Sequence, residues 1–257
     1  MKVKPKKHLG QHFLKDKQIA LRIVESYFNI SSGNFLIEVG PGTGVLTQFI
    51  LEKEKKNFLA LDVDAQSIDF LRLNFPDAQA HFLLEDFLET NVNVYCQGKW
   101  DVIGNFPYNI SSQIMFRILE NRDNVDVVVG MFQKEVAARI CSPPGTKEYG
   151  ILSVLIQAFY STAYLFTVQP GSFNPPPKVK SGVIRLIRNE HKHLNCNEDL
   201  FFRVVKTAFN QRRKTLRNAL RPLLGVHELN NEYMEKRAER LTVSDFVFLT
   251  NEIEKIK

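Results

Sequence analysis

The sequence predicts an α/β fold: an open, mostly parallel sheet with crossover helices, followed by a smaller C-terminal all-helical domain. Three observations carry that expectation. Short apolar runs alternate with segments of helical periodicity between Asn34 and Ile140, the alternation of parallel βαβ units. The first run ends in a glycine-rich loop and the second in a pair of acids. From about Arg188 strand-like runs give way to helical spacing, which places a boundary within residues 189–197 and divides the chain into residues 1–188 and 189–257.

A chain of 257 residues, 44% hydrophobic and 24% charged, is long enough for a full α/β core and a small second domain. Its net charge of +6 calls for an anionic partner, nucleic acid first and a membrane surface second. No run approaches the roughly 18 apolar residues of a membrane span. Residues 1–14 are basic but lack the continuous apolar stretch of a signal peptide. A cytoplasmic protein without a membrane partner is therefore expected. Cys96, Cys141 and Cys196 are widely spaced and odd in number, which suggests neither a disulfide framework nor a metal site.

Lys2, Lys4, Lys6 and Lys7 form a basic arm, followed by Leu9 to Leu14, whose mixed apolar and polar residues suit packing or binding. Asp16 caps a helix whose apolar positions Ile19, Ile23, Val24 and Phe28 recur at helical spacing. Residues 34–39 read as a buried strand, Gly40-Pro41-Gly42-Thr43-Gly44 as a loop, and Val45 to Leu51 as a helix. A second strand, Phe58 to Leu61, ends in Asp62-Val63-Asp64, roughly twenty residues after the first glycine, the offset of a ribose-binding acid. Glycine lets backbone approach a ligand closely, and a carboxylate at the second strand's tip accepts from ribose hydroxyls. The loop supplies no Lys or Arg for a pyrophosphate, and Glu38 before it would repel one. This favours a cationic adenosine derivative, S-adenosylmethionine, over a nicotinamide dinucleotide.

His81 to Leu84 reads as a third strand with Glu85-Asp86-Phe87 at its tip. Asp86 either accepts from an adenine amino group, with Phe87 packing nearby, or caps the next turn. The fourth strand, Trp100 to Gly104, runs into Asn105-Phe106-Pro107-Tyr108. There an amide, a Pro-fixed carbonyl and an aromatic face can grip a flat amino-bearing ring, the alternative being a plain strand-to-helix turn. Helices over Ser111 to Leu119 and Gln133 to Ile140 flank a fifth strand, Val125 to Met131. Gly150 to Tyr160 reads as an apolar helix, and Phe166 to Val168 and Val183 to Ile187 as closing strands. Between these strands three successive prolines, Pro175 to Pro177, would hold Phe173 out rigidly as a stacking platform, unless it is a packed loop anchor.

Past the boundary, Leu200, Val204, Val205, Ala208 and Phe209 give one apolar helical face. The stripe Arg203, Lys206, Arg212, Arg213, Lys214, Arg217 and Arg221 contains no acid, and a single-sign stripe suggests phosphate contact. Pro222 is expected to stop it. Two further helices are expected, over Glu232 to Leu241 and Thr242 to Ile256, the last opened by Thr242 with Asp245 as a capping box.

Five segments, Gly10 to Leu14, Glu38 to Gly44, Asn105 to Tyr108, Ser172 to Val179 and Phe209 to Leu216, occur in this order in one family. Over essentially its whole length the chain resembles the ribosomal RNA adenine N6,N6-dimethyltransferases. Four of the segments are shared with the large-subunit enzymes that confer macrolide resistance; Gln211 to Lys214 resembles the bacterial small-subunit, kasugamycin-resistance branch. The resemblance implies a Rossmann-like class I methyltransferase sheet and S-adenosyl-L-methionine as cofactor. It implies dimethylation of N6 on two adjacent adenosines in the 3′-terminal hairpin of 16S rRNA, with the small ribosomal subunit as partner, and a monomer is expected.

The candidate cofactor-binding residues are then Gln11, His12, Leu14, Glu38, Gly40, Gly42, Asp62, Val63, Asp86, Phe87 and Asn105. Asn105 and Pro107 would accept the two N6 protons, with Tyr108 and Phe173 stacking on the base. Lys6, Lys7, Arg212, Arg213, Lys214, Arg217 and Arg221 would hold RNA. Positions 12, 62 and 106 depart from the family's frequent Asn, Glu and Leu, and Phe106 brings a larger group to the pocket. Two other readings stay open: a DNA N6-adenine methyltransferase, against which Phe106 argues because those enzymes carry Pro there, and a subunit-assembly factor whose methylation is secondary.

Overall fold

The computed structural model of the chain describes residues 3–31, 33–190 and 193–256; Lys2 of the basic arm and residues 191–192 of the linker lie outside the described residues. The chain forms two compact units, Met1–Ala137 with Ala163–Arg188, and Ala138–Thr162 with Asn189–Lys257. The sequence places a division only at residue 188; the structure also groups residues 138–162 with the C-terminal unit.

In chain order the first unit holds β1 (Phe13–Leu14), α1 (Lys17–Phe28), β2 (Phe35–Val39), α2 (Thr47–Lys53), β3 (Phe58–Asp62), α3 (Ala65–Asn74), β4 (Phe82–Leu84), β5 (Trp100–Asn105), α4 (Ser111–Glu120) and β6 (Val125–Gln133). Next come α5 (Lys134–Cys141), α6 (Ile151–Gln157), β7 (Tyr160–Val168), β8 (Phe173–Asn174) and β9 (Ser181–Arg188). One seven-stranded sheet has the order β4-β3-β2-β5-β6-β9-β7, and β1 pairs with β8 in a separate two-stranded ribbon. The pairs from β4 to β6 are parallel, and β9 runs antiparallel to β6. From β2 the chain winds outward to β3 and β4 on one side, then returns to β5 and β6 on the other. The carboxyl ends of β2 and β5 therefore lie side by side at a topological switch point, where open α/β sheets bind ligands.

Both faces of this sheet are covered, which is why its strands read as nearly continuous apolar runs. All five residues of β3 are buried. The main core gathers Leu36, Ala60, Ile103 and Val129 from the strands with Ile23, Val24, Ile50 and Leu71 from the helices. Asp16 caps α1 as its spacing predicts, accepting from the Gln18 and Ile19 amides at 3.0 and 3.2 Å. β7 starts six residues before the expected closing strand, because the apolar run of α6 continues into Tyr160-Ser161-Thr162-Ala163-Tyr164 and periodicity alone does not separate a buried helix from the strand after it.

Phe106 is buried at 1% exposure and meets Phe132 edge to face, centroids 5.0 Å apart. Its ring occupies space left by Gly104 and Gly130, directly opposed residues of β5 and β6; a Cβ on Gly104 would come within 2.7 Å of the ring, and one on Gly130 would collide with it. The larger group is thus accommodated by two missing side chains beneath it.

In the second unit α7 (Glu198–Asn210) and α10 (Val243–Lys255) pack together, with Phe209 and Phe246 6.0 Å apart and Tyr149 6.2 Å from Phe209. The capping box of α10 is present: Thr242 N donates to Asp245 at 2.8 Å, and Asp245 N to Thr242 Oγ1 at 3.1 Å. Pro222 does not stop a helix but opens the short α9 (Arg221–Leu224), where its missing amide proton costs nothing. The expected helix over Glu232 to Leu241 is two separate 3-10 turns, because Lys236 is extended and its carbonyl accepts from Leu216 N, at the start of α8 (Leu216–Ala219).

Candidate functional site

The loop after β2 and the turn after β5 form opposite walls of one cavity at the switch point. Gly40, Gly42, Asp62 and Val63 line it from one side, and Asn105, Pro107 and Tyr108 from the other. Asp86 and Leu88 come from the turn after β4, and residues 9–13 of the N-terminal arm complete the wall. Gly42 adopts φ +56°, and a Cβ there would press within 2.9 Å of the Phe13 ring, so the loop's sequence is set by backbone geometry and by close packing of the arm.

The wall contains two carboxylates, Asp62 and Asp86, and no lysine or arginine. Asp62 accepts from Gly42 N at 3.2 Å and Asp64 N at 2.9 Å, and a carboxylate so held keeps lone pairs for hydroxyl donors. Burial pushes its pKa up to about 6, opposed by those two amides and assisted by Asp64. Asp86 caps the next turn by accepting from Leu88 N at 2.9 Å, and it also lines the cavity.

Asn105 directs its amide nitrogen at the His12 carbonyl, 3.0 Å away. A carbonyl only accepts, so the nitrogen edge is fixed there and the side-chain oxygen lies on the opposite edge. The Pro107 carbonyl accepts from Ile110 N at 3.3 Å and retains a second lone pair. The Tyr108 hydroxyl lies 2.6 Å from Ser181 Oγ, and His12 is stacked on its ring at 5.3 Å and 30°. His12 Nδ1 in turn lies 2.9 Å from the Pro175 carbonyl and therefore carries the proton. A second cavity adjoins the first: Gly10, Gln11, His12 and Tyr108 line both, and Lys7, Gln133 and residues 174–179 complete it.

Four sequence-predicted site residues lie elsewhere. Leu14, at 2% exposure, and Phe173, at 2%, face each other across the β1–β8 ribbon and belong to the apolar core. Phe173 is thus not held out by the prolines; the segment before them pairs back onto the arm and turns the ring inward. Phe87 is buried edge-on against Trp100. Glu38 is buried beside Thr47, whose hydroxyl donates to it at 2.7 Å. Burial, with Asp62 nearby, pushes the Glu38 pKa up to about 8 against that hydrogen bond, so at neutral pH it is mostly protonated and does not present the charge expected of it.

The basic residues of the arm and of the stripe are also partly spent. Lys6 pairs with Asp64 at 2.6 Å. Arg212 meets Glu239 at 3.5 Å, and Arg217 holds Glu235 at 2.8 Å. The stripe is free of acids in sequence, but folding brings acids from residues 235–239 to it. Lys214 and Arg221 instead line an open cleft with Gln211 and Asn218. Leu88, Asn109 and Ile110 in the wall and Ser181 behind Tyr108 belong to no spaced motif and carry no signal in the sequence. Asp64 carried a signal, a cap directly before the α3 pattern, and the Lys6 partner 58 residues away did not.

The family model described as ribosomal RNA adenine dimethylase matches residues 2–255. The chain is 52% identical over 255 residues to ribosomal RNA small subunit methyltransferase A of Flavobacterium johnsoniae, covering 98% of this chain and 97% of the relative. It is 52% identical to the protein of the same name from Bacteroides thetaiotaomicron, covering 98% and 95%. A dimethyladenosine transferase from Plasmodium falciparum superposes with TM-score 0.79 at 27% identity, covering 95% of this chain and 98% of that one. The fold alone is shared with the 23S rRNA methyltransferase ErmE, TM-score 0.66 at 20% identity, covering 94% and 99%. With a family model spanning both units and relatives half identical along nearly their full length, the chain belongs to the ribosomal RNA adenine dimethylase family.

Proposed function

We propose that this protein transfers methyl groups from S-adenosyl-L-methionine to N6 of adenosines in 16S rRNA, giving N6,N6-dimethyladenosine, and that its targets are two adjacent adenosines in the 3′-terminal hairpin of the small subunit. The observation that carries the reading is a cavity with two carboxylates, no cation, a positive-φ glycine cradle and the Asn105 to Tyr108 turn facing it across the switch point. That donor set fits a cationic adenosine derivative: Asp62 for the ribose hydroxyls, Asp86 for the adenine amino group, and Gly40 and Gly42 for close backbone approach. S-adenosyl-L-methionine supplies an electrophilic methyl on a sulfonium.

The chain's own residues do the rest. An adenine N6 lone pair is delocalised into the ring. Acceptance of one N6 proton by the Asn105 side-chain oxygen and the other by the Pro107 carbonyl pulls the nitrogen toward tetrahedral geometry and localises that pair. No strong base is needed; positioning and exclusion of water lower the barrier. Tyr108 offers the ring face opposite His12 for stacking, a contact worth roughly 1–3 kcal/mol. The second cavity, which shares Tyr108 with the first, is the entry for an extruded base, and loop adenines cost least to extrude. Once one methyl is attached only one N6 proton remains. Pro107 can lose its share because Ile110 N still occupies its carbonyl, so Asn105 keeps the surviving proton.

Lys7 at the second cavity and Arg213, Lys214 and Arg221 on the second unit are the phosphate contacts of this reading, and a monomer suffices because every group named comes from one chain. Incubation with methyl-labelled S-adenosyl-L-methionine and purified small subunits, followed by mapping of the label, tests it. Label on N6 of adenosines of the 3′-terminal hairpin is expected; label on another base or atom contradicts it.

A further inference from the structure

Lys6 of the N-terminal arm, expected from sequence to contact RNA, is tied instead to Asp64, the cap of α3. Lys6 Nζ lies 2.6 Å from Asp64 Oδ1 and Gln11 Nε2 lies 3.2 Å from Asp64 Oδ2. Lys6 N donates to Gln11 Oε1 at 2.9 Å, and the Leu9 and Gly10 amides close the turn between them onto the Lys6 and Lys7 carbonyls. Residues 6–11 are therefore a closed loop with both ends on one carboxylate. Asp64 is itself fixed: its side chain is fully buried, caps α3 through Gln66 N at 3.1 Å and receives Ser67 Oγ at 3.2 Å. Burial would raise its pKa, but Lys6, Gln11 and Gln66 outweigh that and hold the carboxyl below its ordinary value, so it is charged at neutral pH.

The next residue after this loop is His12, whose carbonyl takes the Asn105 amide proton at 3.0 Å. A planar amide with its nitrogen pinned has one place for its oxygen. β5 positions the Asn105 backbone, and the His12 carbonyl is the hydrogen-bond partner that sets which way its amide is turned.

Resting on the methyl-transfer reading above, we propose that Lys6 and Asp64 form a positioning latch: by holding the arm they fix the His12 carbonyl, which commits the Asn105 side-chain oxygen to the target amino group. Lys6 thus acts on the rate of transfer through Asn105 and not on RNA affinity. The two ends of this relay are 58 residues apart in sequence, and no motif joins them.

The test compares Lys6→Met, Lys6→Arg, Asp64→Asn and the Lys6→Met/Asp64→Asn double variant with the natural protein, as single-turnover methylation of small subunits at saturating cofactor and RNA, alongside RNA binding at several salt concentrations. Lys6→Met is expected to slow transfer on the order of tenfold, within what misplacement of a reacting group costs, with RNA affinity and its salt slope unchanged. Lys6→Arg keeps the charge and restores most of the rate. Asp64→Asn retains the α3 cap and gives a defect no larger in the double variant than in either single one, the non-additivity of one shared contact. An unchanged rate in Lys6→Met, additive defects, or a loss confined to RNA affinity with a salt slope smaller by about one overturns the latch. If the natural protein places no methyl on adenine N6, the function reading fails as a whole; if it does and Lys6→Met matches it, only the latch fails.

Discussion

At the scale of single residues the site is governed by which polar groups are already committed. Asn105 has spent its nitrogen on the His12 carbonyl, and Asp62 has taken two backbone amides; each is left with the acceptor capacity that its proposed partner needs. Glu38 illustrates the opposite outcome. Its pKa of about 8 against an ordinary 4.5 means the folded protein holds that proton more tightly than the unfolded chain. The associated stability is present at acid pH and is lost as pH rises from the ordinary carboxylate range through about 8. Glu38→Gln keeps an acceptor for Thr47 without an ionisable group. The variant is expected to be more stable than the natural protein, with a gain that grows by on the order of 3 kcal/mol between pH 5 and pH 8. Thermal unfolding of the cofactor-free proteins across that range checks it, and parallel stability profiles would show that Glu38 does not titrate as described.

At the scale of elements, β5 and β6 carry an exchange of volume. Phe106 fills the room that Gly104 and Gly130 leave empty, so the substitutions must be coupled. Gly130→Ala should destabilise by about 2 kcal/mol through overpacking. Phe106→Leu should cost about 1 kcal/mol through the cavity it leaves, and the pair should cost less than the sum of the two. Denaturant unfolding of the three variants measures this, and strict additivity would disprove the fit. A second element-scale expectation concerns the stripe. Arg212 and Arg217 are bound to Glu239 and Glu235, whereas Lys214 and Arg221 face an open cleft. Lys214→Glu with Arg221→Glu should weaken small-subunit binding and lower its salt slope by about two with cofactor affinity unchanged, as read by binding at graded salt. An unaltered slope would make the cleft a solvated surface.

At the scale of the whole molecule, the legible features were those written in local spacing. The alternation of runs gave the parallel sheet, Asp16 and the Thr242–Asp245 pair gave two helix starts, and the glycine loop with Asp62 located the cavity. Features set by distant partners were not legible. The inward turn of Phe173 depends on pairing with Leu14, the protonation of Glu38 on burial, the neutralised arginines on acids of another segment, and the anchoring of Lys6 on Asp64. In each case the residue was located by sequence and its role was set by something packed against it from far along the chain. The central claim is that Asn105 activates adenine N6 in a cofactor site that does not depend on it for RNA capture. The most direct measurement is single-turnover methylation of small subunits by Asn105→Ala at saturating cofactor, with subunit binding read in parallel. A fall in rate of about a thousandfold or more with unchanged subunit binding is predicted; formation of N6,N6-dimethyladenosine at the natural rate by Asn105→Ala would contradict the account.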